Sequence, residues 1–335
     1  MKPVIFGVSG HELISDERAF FKDADPLGYI LFKRNCGDVA QMRALTDSLR
    51  DLSGRADVPI LIDQEGGRVA RMLPPVWPAF PAGAAFDALY EIAPISAIEA
   101  TRASAQALAM MLAEVGVTVN CAPLLDVRQP EVTPAIGDRA FGGDPMRVAA
   151  LGQAMLEGMR RGGVVGVVKH MPGHGRALVD SHYDLPHIKA DDAALEIDLE
   201  PFTRLNDAPM GMTCHVVFEA WDAERPATLS PVVIRDVIRG RIGFDGLLMT
   251  DDIDMKALSG TAGQKASQAL AAGCDVVLDC WARMDEMVEI AELIGEATPE
   301  CVARLERAMA TIAQGSQTAD YEGLIAKRDE LLALV

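Results

Sequence analysis

Eight short apolar segments separated by longer amphipathic ones constrain the fold of this sequence more than any other feature. Each apolar segment has four to six residues, the length of a buried strand, and the stretches between them have helical periodicity. Continuous apolar runs are typical of parallel strands, which helices cover on both faces. The segments are residues 4–7, 28–32, 59–62, 117–121, 163–168, 211–215, 246–250 and 275–278. Eight strands alternating with helices predict an α/β fold, a (β/α)8 TIM barrel in place of an open doubly wound sheet.

The amphipathic stretches complete this pattern. Gly116 and Gly273 each precede a predicted strand, as glycines at helix C-termini do, and residues 73–82 hold four prolines and are predicted to form a loop. Neither a linker nor a low-complexity stretch divides the sequence, so residues 1–335 are expected to form a single barrel domain. Helices are predicted at residues 39–52, 99–114, 145–161, 193–205, 231–239, 263–272, 284–294, 299–312 and 321–332.

Charge and cysteine content narrow the class of protein. The formal net charge of −18 makes nucleic acid and anionic membranes poor partners, because such a surface repels both. The six cysteines include no CxxC pair and are typical of reduced thiols. The first residues lack the longer apolar region of a signal peptide, and no apolar segment approaches the roughly 20 residues that cross a bilayer. We expect a soluble cytoplasmic protein, and a monomer, since no surface pattern demands a partner.

Polar or charged residues end five of the predicted strands. A polar loop must follow any strand, which explains one or two such ends but not five that carry histidine, lysine and aspartate. Catalytic groups of (β/α)8 barrels collect at the C-terminal ends of the strands, so these residues predict a functional layer. They are Asp63, Gln64 and Glu65 with Arg71 just beyond, Asn120 with Asp126, Lys169 and His170, His215, and Asp251 and Asp252.

Asp251 is the strongest nucleophile candidate of this layer. It follows the apolar residues of the seventh strand directly, so it is held more rigidly than Asp252 or Asp254. A carboxylate at that position points into the barrel mouth, where it could attack an anomeric carbon or bind a metal ion. Asp252 and Asp254 are interpreted as solvated or helix-capping residues.

Residues 169–182 read KHMPGHGRALVDSH and hold three of the six histidines. The glycines and the proline suit a shaped loop and suggest that it moves. Lys169 and His170 follow the strand and suit hydrogen bonds to the hydroxyl groups of a sugar. His174 lies between glycines and is interpreted as structural.

Asp180 precedes His182 by two residues. A carboxylate at that spacing can bind one ring nitrogen, orient the imidazole and raise its proton affinity. The free nitrogen can then give and take a proton near neutral pH. This pattern is weak alone and gains its value from following a glycine-rich turn at a strand end.

Eight motifs resemble glycoside hydrolase family 3, and within it the single-domain bacterial β-N-acetylglucosaminidases of peptidoglycan recycling. They occur in the order of that family from about residue 1 to 320. The motifs are DQEGGRV at 63–69, NCAPLLDV at 120–127, IGDRAFG at 136–142, KHMPGHG at 169–175, DSH at 180–182, MTCHV at 212–216, PATLS at 226–230 and TDD at 250–252.

The resemblance implies a retaining enzyme that needs no cofactor and no metal and acts on a small sugar or muropeptide. Asp251 matches the nucleophile, His182 the acid/base and Asp180 its partner. Many members of the family carry an acid/base carboxylate on a second domain, so here the acid/base is expected from a barrel loop. The residues that match binding of the terminal sugar are Asp63, Arg71, Arg139, Lys169 and His170.

Two alternatives stay open from the residues alone. A metal-dependent hydrolase on the same barrel could use His170, His174, His182, His215 and Asp251 as ligands, although the early H-x-H of many such enzymes is missing. A sugar-binding protein without catalysis would need neither Asp251 nor the pair of Asp180 and His182.

Overall fold

The structure is a computed structural model that describes residues 1–130, 135–181, 183–315 and 319–335. Its described part contains ten strands, of which all but β6 and β8 close into one parallel barrel. The strands are β1 (Lys2–Gly7), β2 (Pro26–Leu31), β3 (Ile60–Ile62), β4 (Val119–Asn120), β5 (Val165–Met171), β6 (His187–Ile188), β7 (Met210–Thr213), β8 (Val217–Phe218), β9 (Leu247–Asp252) and β10 (Val276–Asp279).

The order of strands around the barrel is β1-β10-β9-β7-β5-β4-β3-β2. The ring closes where Val4 of β1 lies in register with Val277 of β10, and both neighbours of every barrel strand are parallel to it. Each of the eight apolar segments contributes one barrel strand, so the predicted (β/α)8 fold is confirmed. The short strands β6 and β8 pair with each other outside the barrel and were not predicted.

Helices surround the barrel. They are α1 (Ser15–Ala24), α2 (Val39–Ser53), α3 (Gly83–Ile92), α4 (Pro94–Glu114), α5 (Pro145–Arg161), α6 (Asp192–Arg204), α7 (Ala262–Ala272), α8 (Met284–Leu293), α9 (Pro299–Gly315) and α10 (Tyr321–Leu332). The segment Val233–Arg241, predicted as an ordinary helix, has π-helical hydrogen bonding. None of the described helices is long and apolar enough to cross a bilayer.

Two helices were missed in the sequence for identifiable reasons. Helix α1 is mostly polar and buries few apolar side chains, chiefly Phe21, so its periodicity is weak. Helix α3 is short and is separated from α4 only by Ala93, with Pro94 at the first turn of α4. The predicted loop at 73–82 is confirmed as irregular chain.

Local chemistry sets where several helices begin and end. Asp38, Asp144 and Asp191 each accept a backbone N–H in the first turn of α2, α5 and α6. Gly273 ends α7 with φ of +115°, a conformation that other residues rarely adopt. The three aspartates thus begin their helices, and Gly273 turns the chain toward β10.

The apolar core forms two layers, one inside the barrel and one between the strands and the helices. Ile5, Leu61, Val165 and Met249 belong to the inner layer and are at most 1% exposed. Because these side chains fill the barrel interior, polar groups can gather only at its ends. The C-terminal end is where the predicted functional residues lie.

Candidate active site

A cavity of about 460 Å³ opens at the C-terminal end of the barrel. It collects the predicted catalytic and sugar-binding residues whose side chains the structure describes, from strands that lie far apart in the sequence. Gln64, Asn120, Asp126 and His215, also expected at this end of the barrel, are not among the residues that line it. The predicted acid/base His182 lies outside the described residues. The lining includes Phe32, Arg34, Asp63, Glu65, Arg68, Arg71, Arg139, Lys169, His170, Asp180, Met212, Asp251, Asp252, Cys280 and Trp281.

The floor of the cavity is a cluster of paired charges around Glu65. Its carboxylate accepts hydrogen bonds from Arg139 Nε at 2.8 Å and Nη2 at 2.7 Å, and Lys169 Nζ lies 2.7 Å from Oε1. Burial opposes ionisation of Glu65, but Arg139 and Lys169 hold the pKa of its carboxyl well below the ordinary value. Glu65 therefore stays charged and fixes both cations.

Asp63 joins the same cluster from the end of β3. Its Oδ1 lies 3.1 Å from Lys169 Nζ, and its Oδ2 accepts a hydrogen bond from Arg71 Nη2 at 3.1 Å. Burial opposes ionisation, yet Lys169 and Arg71 keep the pKa of Asp63 below its ordinary value. The pKa of Lys169 is raised although burial acts against its charge, because Glu65 and Asp63 face it. The cluster offers fixed donors and acceptors to a polar ligand.

His170 is held by Asp126, which follows β4. Asp126 Oδ2 lies 2.7 Å from His170 Nδ1, while its Oδ1 accepts the backbone N–H of His174 at 2.6 Å. Burial disfavours the charge on Asp126, but His170 keeps the pKa of that carboxyl below its ordinary value. Nε2 of His170 is turned toward Asp251, with 4.0 Å to its Oδ2.

Asp251 stands at the end of β9 and lines the cavity, as the sequence predicts. Its Oδ1 accepts the backbone N–H of Asp252 at 2.8 Å. Burial opposes ionisation, but His170, the backbone N–H of Asp252 and Lys169 are among the groups that hold the pKa of Asp251 below its ordinary value. The carboxyl is therefore an anion at neutral pH, which is the form that a nucleophile or an electrostatic stabiliser requires.

His215 supports the backbone beside Asp251. Its Nδ1 lies 2.8 Å from Thr228 Oγ1, and its Nε2 lies 2.9 Å from the carbonyl oxygen of Asp252. Both ring nitrogens are thus engaged within the protein. Burial lowers the pKa of His215. A neutral ring that donates to the Asp252 carbonyl fixes the end of β9.

The loop after β5 passes the cavity at Asp180. Within it, His174 is buried and its Nε2 lies 3.2 Å from Ser181 Oγ. Burial lowers the pKa of His174 to about 4, so this ring is neutral. His174 therefore packs the loop against the barrel, consistent with the structural role expected of it.

Asp252 differs from the expected solvated or capping residue. Its Oδ1 accepts the backbone N–H of Asp254 at 3.2 Å and of Cys280 at 3.3 Å, and its Oδ2 accepts Trp281 Nε1 at 3.0 Å. Burial raises the pKa of Asp252 to about 7. The interpretation of Asp252 as a solvated or capping residue was wrong because the loop after β10 folds over its carboxyl. The sequence around Asp252 gives no indication of this contact. Asp254 forms an ion pair with Arg283.

Three residues with functional positions were missed in the sequence. Glu65 and Asp126 were recognised as strand-end polar residues but not as the groups that hold Lys169, Arg139 and His170. The sequence around Trp281 does not indicate a functional role, because a single tryptophan after a strand usually belongs to the apolar core. Only the closure of β10 against β9 brings it to the cavity.

The histidine and carboxylate side chains of this region bear on the metal-dependent alternative. In the described ranges, histidine, cysteine, aspartate and glutamate side chains do not converge in threes as a metal site requires. Of the ligands of the metal alternative, His215 has both ring nitrogens bound to protein groups, and His170 has Nδ1 bound to Asp126.

Sequence comparison finds relatives across nearly the whole chain. The profile of the Glycosyl hydrolase family 3 N terminal domain matches residues 10–314. A beta-hexosaminidase of Chromobacterium violaceum is 39% identical over 98% of this chain and 91% of its own length. A beta-hexosaminidase of Alkalilimnicola ehrlichii is 39% identical over 83% of this chain and 80% of its own.

Solved structures give the same result for the fold. Native NagZ from Neisseria gonorrhoeae is similar with a TM-score of 0.87 and 28% identity, over 99% of this chain and 97% of that chain. A glycoside hydrolase family 3 beta-N-acetylglucosaminidase from Paenibacillus sp. str. FPU-7 has a TM-score of 0.86 and 29% identity, over 98% of this chain and 67% of that chain.

Proposed function

The chain belongs to glycosyl hydrolase family 3 and is a glycoside hydrolase, and from this premise we propose that it is a retaining exo-β-N-acetylglucosaminidase. Its substrates are peptidoglycan fragments that end in β-linked N-acetylglucosamine, with 1,6-anhydro-N-acetylmuramic acid as the group that leaves. The observation that carries the proposal is an ionised Asp251 facing a cavity whose floor consists of paired charges.

The charged floor suits the terminal sugar. Asp63 accepts hydrogen bonds, while Arg71, Arg139, Lys169 and His170 donate them, so together they can grip several hydroxyl groups. Since their partners already fix them, little rotamer entropy is lost when a sugar binds. A pocket closed at this end favours removal of a terminal residue over cleavage within a polymer.

The chemistry needs two groups. A ring nitrogen of His182, oriented by Asp180, gives its proton to the glycosidic oxygen as the carboxylate of Asp251 attacks the anomeric carbon. The bond to the leaving group breaks and a glycosyl-aspartate forms. His182 then takes a proton from water, the water oxygen attacks the same carbon, and Asp251 is released with configuration retained. Asp180 supports this assignment because it lines the same cavity as Asp251.

The cellular setting belongs to the same proposal. All six cysteines lie in the described ranges and none is paired in a disulfide, which fits a reducing cytoplasm. A monomer remains a prediction.

A substrate panel tests the proposed activity. We expect hydrolysis of nitrophenyl β-N-acetylglucosaminide and of the disaccharide N-acetylglucosaminyl-1,6-anhydro-N-acetylmuramic acid, and little of nitrophenyl β-glucoside. Proton NMR at early times should show the β-anomer of the released sugar. Initial release of the α-anomer would contradict retention, and loss of activity after chelation would favour the metal-dependent alternative.

A leaving-group comparison tests His182. His182→Ala should lower kcat/KM much more for the disaccharide than for the nitrophenyl substrate, since nitrophenolate leaves without a proton and kcat/KM does not include the later water step, in which His182 acts as base. His187→Ala is the matched control, because His187 is an exposed histidine on β6 and is not among the residues that line the cavity. Equal losses on both substrates would contradict the acid role of His182.

A further inference from the structure

Trp281 combines two properties that rarely coincide. Its side chain is 57% exposed, yet it lines the cavity that holds Asp251. The other tryptophans differ, since Trp77 is buried and Trp221 stacks on Phe218. A large exposed aromatic surface at the mouth of a polar cavity indicates contact with a ligand.

The indole is held in place although it is exposed. Trp281 Nε1 donates to Asp252 Oδ2 at 3.0 Å, and the other oxygen of Asp252 is bound by backbone N–H groups. The preceding residue, Cys280, is fixed because Arg34 donates to its carbonyl oxygen. An exposed side chain with a fixed orientation loses little entropy when something stacks on it.

The surroundings of Trp281 differ from the cavity floor. Phe32, which follows β2, lines the same cavity and lies under the guanidinium groups of Arg34 and Arg71, at 5.0 Å and 5.3 Å from the ring centroid. This sector joins the ends of β10, β1 and β2, which are neighbours in the barrel. The floor at Glu65 and Lys169 binds by charge, whereas this sector offers an aromatic face.

We propose that Trp281 is the stacking platform for the sugar of the leaving group, and thus a specificity-determining residue for saccharide aglycones. The inference rests on the proposed function. Once the charged floor holds the terminal sugar, the second sugar must lie toward the solvent-exposed rim. One face of a pyranose presents C–H groups, and these complement the negative π face of an indole. Asp252 acts through Trp281 as a positioning residue.

The test compares two subsites in the intact protein. For Trp281→Ala we expect KM for diacetylchitobiose to rise roughly 5-fold, the scale of an aromatic contact, with little change in kcat. The inhibition constant of free N-acetylglucosamine, which reports the floor alone, should stay within about twofold of its original value. Trp281→Phe keeps an aromatic face but loses the hydrogen bond to Asp252, so its KM should lie between those of Trp281→Ala and the unmodified protein.

Each other outcome would overturn the inference in a distinguishable way. Equal rises in KM and in the inhibition constant would place Trp281 against the terminal sugar. Unchanged constants for Trp281→Ala would show that no sugar touches the indole. A defect in Trp281→Phe as large as in Trp281→Ala would assign the effect to the bond with Asp252. If the unmodified protein cleaved no β-N-acetylglucosaminide, the proposed function itself would fail.

Discussion

Two sides of the C-terminal end of the barrel hold buried carboxyl groups whose pKa values are shifted in opposite directions. On the paired side, Asp63 and Glu65 each meet cations, and their pKa values lie below the ordinary ones despite burial. On the unpaired side, burial raises the pKa of Asp252 to about 7 and that of Asp279 to about 8. The same chemical group is thus an anion at neutral pH on one side, whereas on the other it takes up a proton near pH 7 to 8.

Asp251 lies between the two sides in sequence and in space. It shares β9 with Asp252, yet His170 and Lys169 reach it from the direction of the paired side. Burial alone would protonate a carboxyl at this position. The comparison indicates that His170 and Lys169 on β5, together with the backbone N–H of Asp252, keep the proposed nucleophile ionised.

The largest expected loss of activity comes from replacing one of the two carboxylates at the end of β9. Asp251→Asn should lower kcat by roughly 10³-fold or more, because an amide cannot form the glycosyl ester. Asp252→Asn is the matched control and should cost less than about 10-fold, since Asp252 acts through backbone N–H groups and Trp281. Assays with nitrophenyl β-N-acetylglucosaminide measure both. Near-normal turnover by Asp251→Asn would refute the nucleophile assignment.

The next effect tests the paired side. Glu65→Gln removes the carboxylate shared by Arg139 and Lys169 and leaves these cations less compensated, so stability at pH 7 should fall by about 3 kcal/mol. The pKa of Glu65 is lowered on folding, so its stabilisation is present above its ordinary value of 4.5 and is lost as pH falls below it. Urea unfolding at pH 7 and at pH 4 measures the difference, which should shrink at the lower pH.

Glu65→Gln should also lower activity, because Arg139 and Lys169 lose the carboxylate that holds them in place. A fall in kcat/KM of roughly 10²-fold is expected from misplacement of the sugar-binding groups. A stable variant with normal kcat/KM would show that the paired side is structural only.

The smallest expected effect is an increase in the free energy of unfolding, on substitution of Asp279. Asp279 is 1% exposed, and neither of its carboxylate oxygens has a hydrogen-bond partner among the described residues. Because its pKa is raised from the ordinary value of 3.8 to about 8, its ionisation destabilises the fold progressively as pH rises between these values. Asp279→Asn should therefore raise stability at pH 8 by roughly 2 kcal/mol.

The pH dependence separates this gain from a packing effect. Near pH 4 the two proteins should unfold at similar urea concentrations, since Asp279 is then neutral in the folded state. A gain that is equal at pH 4 and pH 8 would contradict the ionisation argument, and destabilisation at pH 8 would break the comparison between the two sides.

Sequence periodicity determined the barrel itself. Eight apolar runs separated by helical patterns leave few alternatives, because a parallel strand must bury both faces and a helix must bury one. The same reasoning placed Asp63, Lys169, His170 and Asp251 at one end, since parallel strands share a direction. Local patterns also singled out Arg71 and Asp180, and the family resemblance added Arg139; the structure places all three in the cavity lining.

Tertiary structure alone decided which of these groups are paired. No local pattern shows that Glu65 binds Arg139, that Asp63 binds Lys169, or that Asp126 holds His170. These contacts join residues 44 to 106 positions apart. Likewise, Trp281 reaches the cavity only because β10 closes the barrel next to β9. Periodicity specifies which face of an element is buried, whereas charge state and orientation depend on neighbours that only the closed barrel brings together.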